Sequence, residues 1–167
     1  MTRRHFLSVS GAVVASPNDT IQLGLIGCGA RGKGVHIPRF LKYPNVRFTA
    51  VCDVNAKYLA ESRQLAGGER VAAYHDYRKL LDSKDVDAVI VASNQQWHAL
   101  QTIDACKAGK DVYMEKPLGN SIGEGPYVMQ AWKKYGRVVQ VGTQQRSQQH
   151  YQQAVELIRA GKLGEIS

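Results

Sequence analysis

Three glycines stand at the spacing G-x-G-x-x-G within Ile21 to Gly32, IQLGLIGCGARG, directly behind a short apolar run. This arrangement suits the binding of a phosphate. Gly27 permits a tight turn, Gly29 removes a side chain so that backbone N–H groups can approach a pyrophosphate, and Gly32 lets the next helix pack closely on the strand. Cys28, Ala30 and Arg31 complete the loop, and the helix N-terminus turns its partial positive charge toward the phosphates. A glycine-rich loop by itself can be only a turn, but here a second strand, Arg47 to Cys52, ends at Asp53. That is about 20 residues past the last glycine, where dinucleotide folds place the carboxylate that holds the adenosine ribose. An acid there accepts hydrogen bonds from the ribose hydroxyls and repels a 2′-phosphate, so NAD is the expected cofactor and NADP the alternative. Asp53 could also be the N-cap of a helix starting near Asn55, and both roles can hold at once.

The elements around these residues alternate. Ile21, Leu23, Leu25 and Ile26 read as a buried strand, followed by a helix over Val35 to Tyr43 with a break at Pro38. After the Asp53 strand come a helix from Ala56 to Leu65, a strand from Val71 to Tyr74 and a short helix from Tyr77 to Leu81. Asp87 to Ala92, DAVIVA, has the continuous apolar character of a doubly covered parallel strand. A helix from Trp97 to Ala108, a strand from Val112 to Met114, a helix from Ile122 to Tyr135 and a strand from Val138 to Val141 follow. Such units predict an α/β fold, a doubly wound parallel sheet of Rossmann-like type with right-handed crossovers. Ligands then lie beyond the carboxyl ends of the strands. Three more loops should therefore open on the crevice: Ser93 to His98 (SNQQWH), Glu115-Lys116-Pro117, and Gly142 to Ser147 (GTQQRS).

Taken together, GCGARG, Asp53, the W-H pair, E-K-P and GTQQRS resemble the Gfo/Idh/MocA oxidoreductases from about Ile21 to Ser167. The resemblance implies a hydride-transferring enzyme acting on a sugar or polyol hydroxyl, with Lys116 beside the nicotinamide assisting proton transfer. It implies a cis bond before Pro117, and it places Glu115, Ser93, Asn94 and Arg146 among the residues that meet the cofactor. The family usually has T-P where this chain has Ser93-Asn94. It also implies a second, α+β substrate domain, of which this chain carries only the start. The expected division is 1–20 as an export signal and lead-in, 21–147 as the dinucleotide-binding domain, and 148–167 as the beginning of the substrate domain. Glu165-Ile166-Ser167 would open its first strand, and a homo-oligomer is expected for the full-length protein.

The chemistry of Lys116 agrees with that role. Oxidising a secondary alcohol removes a proton from oxygen as hydride leaves carbon, which a free lysine titrating near ~10.4 performs only if brought toward ~7–8. The alternative is a solvated charge at a strand end. His98 could bond a substrate hydroxyl or the nicotinamide ribose, or could cap and pack its helix. Trp97 could stack on a sugar or lie in the core. His36, His75 and His150 carry no motif.

Length and composition suit one domain of ordinary size. The balance of 22 Lys plus Arg against 14 Asp plus Glu gives a net charge of +8, spread without a dense basic run, which disfavours nucleic acid as a partner. The three cysteines, Cys28, Cys52 and Cys106, lack metal-ligand spacing, so no metal is expected. No stretch is long enough to span a bilayer. Thr2 to Leu7, TRRHFL, resembles a twin-arginine export signal, with Val13-Val14-Ala15 as a cleavage site, and predicts a periplasmic location. An exposed basic tail on a cytoplasmic enzyme is the alternative. Two further function classes stay open: an NAD-dependent glycosidase of the same fold, and a non-catalytic dinucleotide-binding module.

Overall fold

A computed structural model describes residues 20–164. The paired arginines, the cleavage site and the final three residues lie outside the described residues. Six parallel strands form one sheet in the order β3-β2-β1-β4-β5-β6, where β1 is Ile21–Ile26, β2 Val46–Cys52, β3 Ala72–Tyr74, β4 Ala88–Val91, β5 Asp111–Glu115 and β6 Val139–Gly142. This is the doubly wound arrangement, with its switch point between β1 and β4.

Strand alternation divides the core in two. Ile26, Ala50, Cys52, Val89, Val91, Val112 and Met114 pack on one face with Tyr77, Leu80, Ala105 and Ala131 from the helices α3 (Tyr77–Leu81), α4 (His98–Lys107) and α5 (Gly125–Tyr135). Leu23, Leu25, Val51 and Ile90 pack on the other face with Ile37, Leu59 and Ala66, from α1 (Ile37–Phe40) and α2 (Ala56–Ala66). The last helix, α6 (Gln149–Arg159), has no buried residue. All three cysteines are buried, as small core residues.

The first helical segment begins earlier than the sequence predicts. It leaves the glycine loop at once, runs through a π-helical turn, Gly32–His36, into α1, and ends at Phe40 rather than Tyr43. The wide turn is closed by the Ile37 N–H donating to the Gly32 carbonyl. Pro38 accounts for it: proline has no N–H to continue the α pattern and its ring crowds the carbonyl four residues back. His36, at the end of that turn, is only 2% exposed.

Candidate cofactor site

The glycine loop joins β1 to the π-helical turn, and each glycine meets a different surrounding. A Cβ on Gly27, whose φ is +96°, would collide with the Ser93 nitrogen and the Ala92 carbonyl group at the end of β4. One on Gly32 would overlap the Gly27 carbonyl oxygen. A Cβ on Gly29 would meet nothing within 4 Å. Two glycines therefore allow close packing, and the third borders open space in the crevice beyond the strands.

Asp53 closes β2 facing this loop. One carboxylate oxygen accepts the Cys28 N–H at 2.7 Å and the other the Asn55 N–H at 2.8 Å, so the group is fixed against the loop. It is not the N-cap of α2. Asn55 fills that place, its side-chain oxygen accepting from the Lys57 and Tyr58 N–H groups, as short polar residues commonly do. The crevice beyond these strands has a volume of about 780 Å³ and runs from Asp53, Val54 and His75 past Gly27 and Gly29 to Ser93, Asn94 and Trp97. Trp97 is 44% exposed and lines this space, not the core.

The β4 loop is tied down by α4. The Ser93 hydroxyl donates to the Gln101 side-chain oxygen at 2.6 Å. His98 is 2% exposed, with Nδ1 2.7 Å from the Pro117 carbonyl oxygen and Nε2 3.0 Å from that of Ser93. Of the two roles open to His98, the geometry matches packing: both ring nitrogens are turned to backbone oxygens.

Beyond β5 the Lys116–Pro117 bond is cis, and the Lys116 side chain is exposed. Glu115 is 5% exposed and lies on the Tyr113 side of β5, away from the crevice lining. Its carboxylate accepts from Arg31 Nε at 2.9 Å and Gln144 Nε2 at 3.2 Å. Within the chain Glu115 is engaged by protein partners, because strand alternation carries its side chain toward the helix that follows the glycine loop. His36 Nε2 stands 2.8 Å from the same carboxylate, turned off the line of a hydrogen bond. Burial pushes the His36 pKa below its ordinary value, and Glu115 partly opposes that. Arg146 lies exposed in the turn Gln144–Ser147 after β6. No motif in the sequence marks His36, whose one local signal is its spacing of four residues from Gly32.

Among the described residues no cluster of His, Cys, Asp and Glu could hold a metal ion, and no helix is long and apolar enough to cross a membrane. The sheet order, the cleared space over Gly29 and the carboxylate fixed beside it define a dinucleotide-binding Rossmann domain that fits NAD. Residues 21–143 match the oxidoreductase family with an NAD-binding Rossmann fold, Gfo/Idh/MocA, and the chain belongs to that family. The inositol 2-dehydrogenase of Salmonella typhimurium is 31% identical over 156 residues, covering 87% of this chain and 44% of that protein. A glycosyl hydrolase family 109 protein of Shewanella pealeana is 36% identical over 124 residues, covering 70% of this chain and 27% of the relative. The scyllo-inositol dehydrogenase of Lactobacillus casei, solved with NAD(H) and scyllo-inositol, superposes with a TM-score of 0.77 at 30% identity, over 88% of this chain and 43% of that one. The chain thus spans less than half the length of these relatives.

Proposed function

We propose that the intact protein is an NAD-dependent oxidoreductase acting on a secondary hydroxyl of a cyclic polyol or sugar, for which this chain supplies the cofactor domain. The observation that carries this reading is Lys116, exposed at the carboxyl end of β5, beside the strand whose loop lines the crevice. NAD, when bound, accepts a hydride from the carbinol carbon or returns one to the ketone. The glycine-loop N–H groups hold the pyrophosphate, Asp53 takes the ribose hydroxyls, and Ser93, Asn94 and Arg146 flank the nicotinamide end. Lys116 as a free amine takes the hydroxyl proton during oxidation, and as an ammonium gives it back during reduction. Export through the paired arginines and assembly into a homo-oligomer belong to the same reading.

The glycosyl hydrolase relative favours a second reading, in which hydride is borrowed and returned within one cycle. The two are separated by incubating the intact protein with NAD and myo- or scyllo-inositol, and separately with a glycoside. Steady growth of reduced-nicotinamide absorbance with the polyol supports the dehydrogenase, and sugar release without net absorbance change supports the hydrolase. Lys116→Ala should lower polyol turnover by ~10²–10⁴-fold with NAD affinity nearly unchanged. Wild-type turnover in that variant would assign the proton transfer to another group.

A further inference from the structure

Lys116 makes no side-chain hydrogen bond or ion pair among the described residues, so its placement depends on its backbone. Both neighbours of that backbone are held by side chains from other elements. On one side, Glu115 is fixed by Arg31 from the glycine loop at 2.9 Å and by Gln144 from the β6 loop at 3.2 Å, with His36 at 2.8 Å. On the other side, the Pro117 carbonyl faces His98 Nδ1 at 2.7 Å, while Nε2 of the same ring faces the Ser93 carbonyl at 3.0 Å. Carbonyl oxygens only accept and a neutral imidazole carries a single N–H, so in His98 the shorter contact, Nδ1 to the Pro117 carbonyl, takes the hydrogen bond and Nε2 packs against the Ser93 carbonyl. Its ring spans the ends of β4 and β5 from the first turn of α4, and Gln101 of the same helix holds the Ser93 hydroxyl.

We propose that His98 is a positioning residue: it fixes the Lys116–Pro117 backbone against the Ser93 loop, while Glu115 anchors the opposite side of the lysine to the glycine loop. The functional consequence rests on reading Lys116 as the proton-transfer group. A group in that role must be held to within about half an ångström of its working place, and a shift of about 1 Å can cost ~10²-fold in rate. One buried histidine thereby couples the loop beside the cofactor crevice to the loop that carries the base.

The test exploits the two ring nitrogens. Asparagine at 98 places an amide donor near the position of Nδ1, and glutamine places one near that of Nε2. His98→Asn therefore retains the bond to Pro117, whereas His98→Gln loses it and places its donor at Ser93 instead. In the ¹⁵N-labelled 167-residue chain, the Lys116 amide should keep an order parameter of about 0.85 in wild type and His98→Asn, and fall below about 0.6 in His98→Gln. Thermal melting should drop by similar amounts in both variants. Equal Lys116 order in the two, or loss of order that simply follows the melting temperature, would overturn the proposal. If His98→Gln does not fold, Glu115→Ala, which removes the acceptor of Arg31 and Gln144, is read the same way, and an unchanged Lys116 order parameter there would also overturn it. Calorimetry with NAD on the wild-type chain keeps the failures distinct: absent binding with the expected order pattern removes the cofactor reading and leaves the positioning intact.

Discussion

Replacing Gly29 with leucine separates ligand binding from folding at the glycine loop. A Cβ at Gly29 meets nothing within 4 Å, and its φ lies outside the left-handed region, so the backbone accepts a side chain without strain. The stability change should stay within about 1 kcal/mol, a shift of a few degrees in melting temperature. The leucine side chain, however, occupies the space that a pyrophosphate needs. Losing about two charge-assisted hydrogen bonds from loop N–H groups, each worth ~1.5–3 kcal/mol, predicts a loss of ~3–6 kcal/mol, or ~10²–10⁴-fold in NAD affinity. Gly32→Ala is the contrasting variant, because its Cβ would overlap the Gly27 carbonyl oxygen and the loop itself must move. Isothermal calorimetry and thermal melts on both variants provide the assay. Affinity of Gly29→Leu within about threefold of wild type, or a melting loss as large as that of Gly32→Ala, would refute this division of labour.

Asp53→Ala should remove the like-charge repulsion of a 2′-phosphate, worth ~1–3 kcal/mol after screening, and narrow the NAD-over-NADP affinity ratio by ~10–100-fold; an unchanged ratio would place the ribose elsewhere. His36 has its pKa lowered chiefly by burial, with Glu115 opposing and Arg31 and Arg39 adding to the depression. The unfolded chain therefore takes up the His36 proton more readily than the folded one. This contribution to stability is complete above about pH 6.5 and is lost as pH falls through the lowered folded value. Urea unfolding from pH 7.5 to 5 should show a shallower pH slope in His36→Gln, and an identical slope would show that other groups set it. Burial pushes the Cys28 thiol up to about 11 and that of Cys52 up to about 12, so neither should alkylate at pH 8 until denaturant is added. Mass spectrometry showing Cys28 labelled in the native protein as fast as a free thiol would contradict the loop packing.

The six strands and the doubly wound parallel sheet were legible because each strand's apolar character and each intervening helix follow simple periodicities, and the short helix over Tyr77–Leu81 has the expected bounds. The tight turn at Gly27 and the close packing at Gly32 were legible too, since each depends on an absent Cβ. Asp53 was placed by its distance from the loop, but its grip on the Cys28 N–H depends on how β1 and β2 end side by side, which linear spacing does not encode. The π-helical turn escaped because a proline marks a break without specifying which hydrogen bond replaces the lost one. The fates of Glu115, His36 and His98 depend on which face of β5 meets the first helix and on the approach of α4 to the Pro117 loop. These are long-range contacts that no local motif records.

The central claim, that the crevice between the glycine loop and Asp53 holds NAD, is tested most directly by calorimetric titration of the purified chain with NAD and with NADP. Saturable binding of one NAD per chain, with NADP weaker by ~10-fold or more, is the predicted result. No saturable binding of either dinucleotide, or equal or tighter binding of NADP, would contradict it.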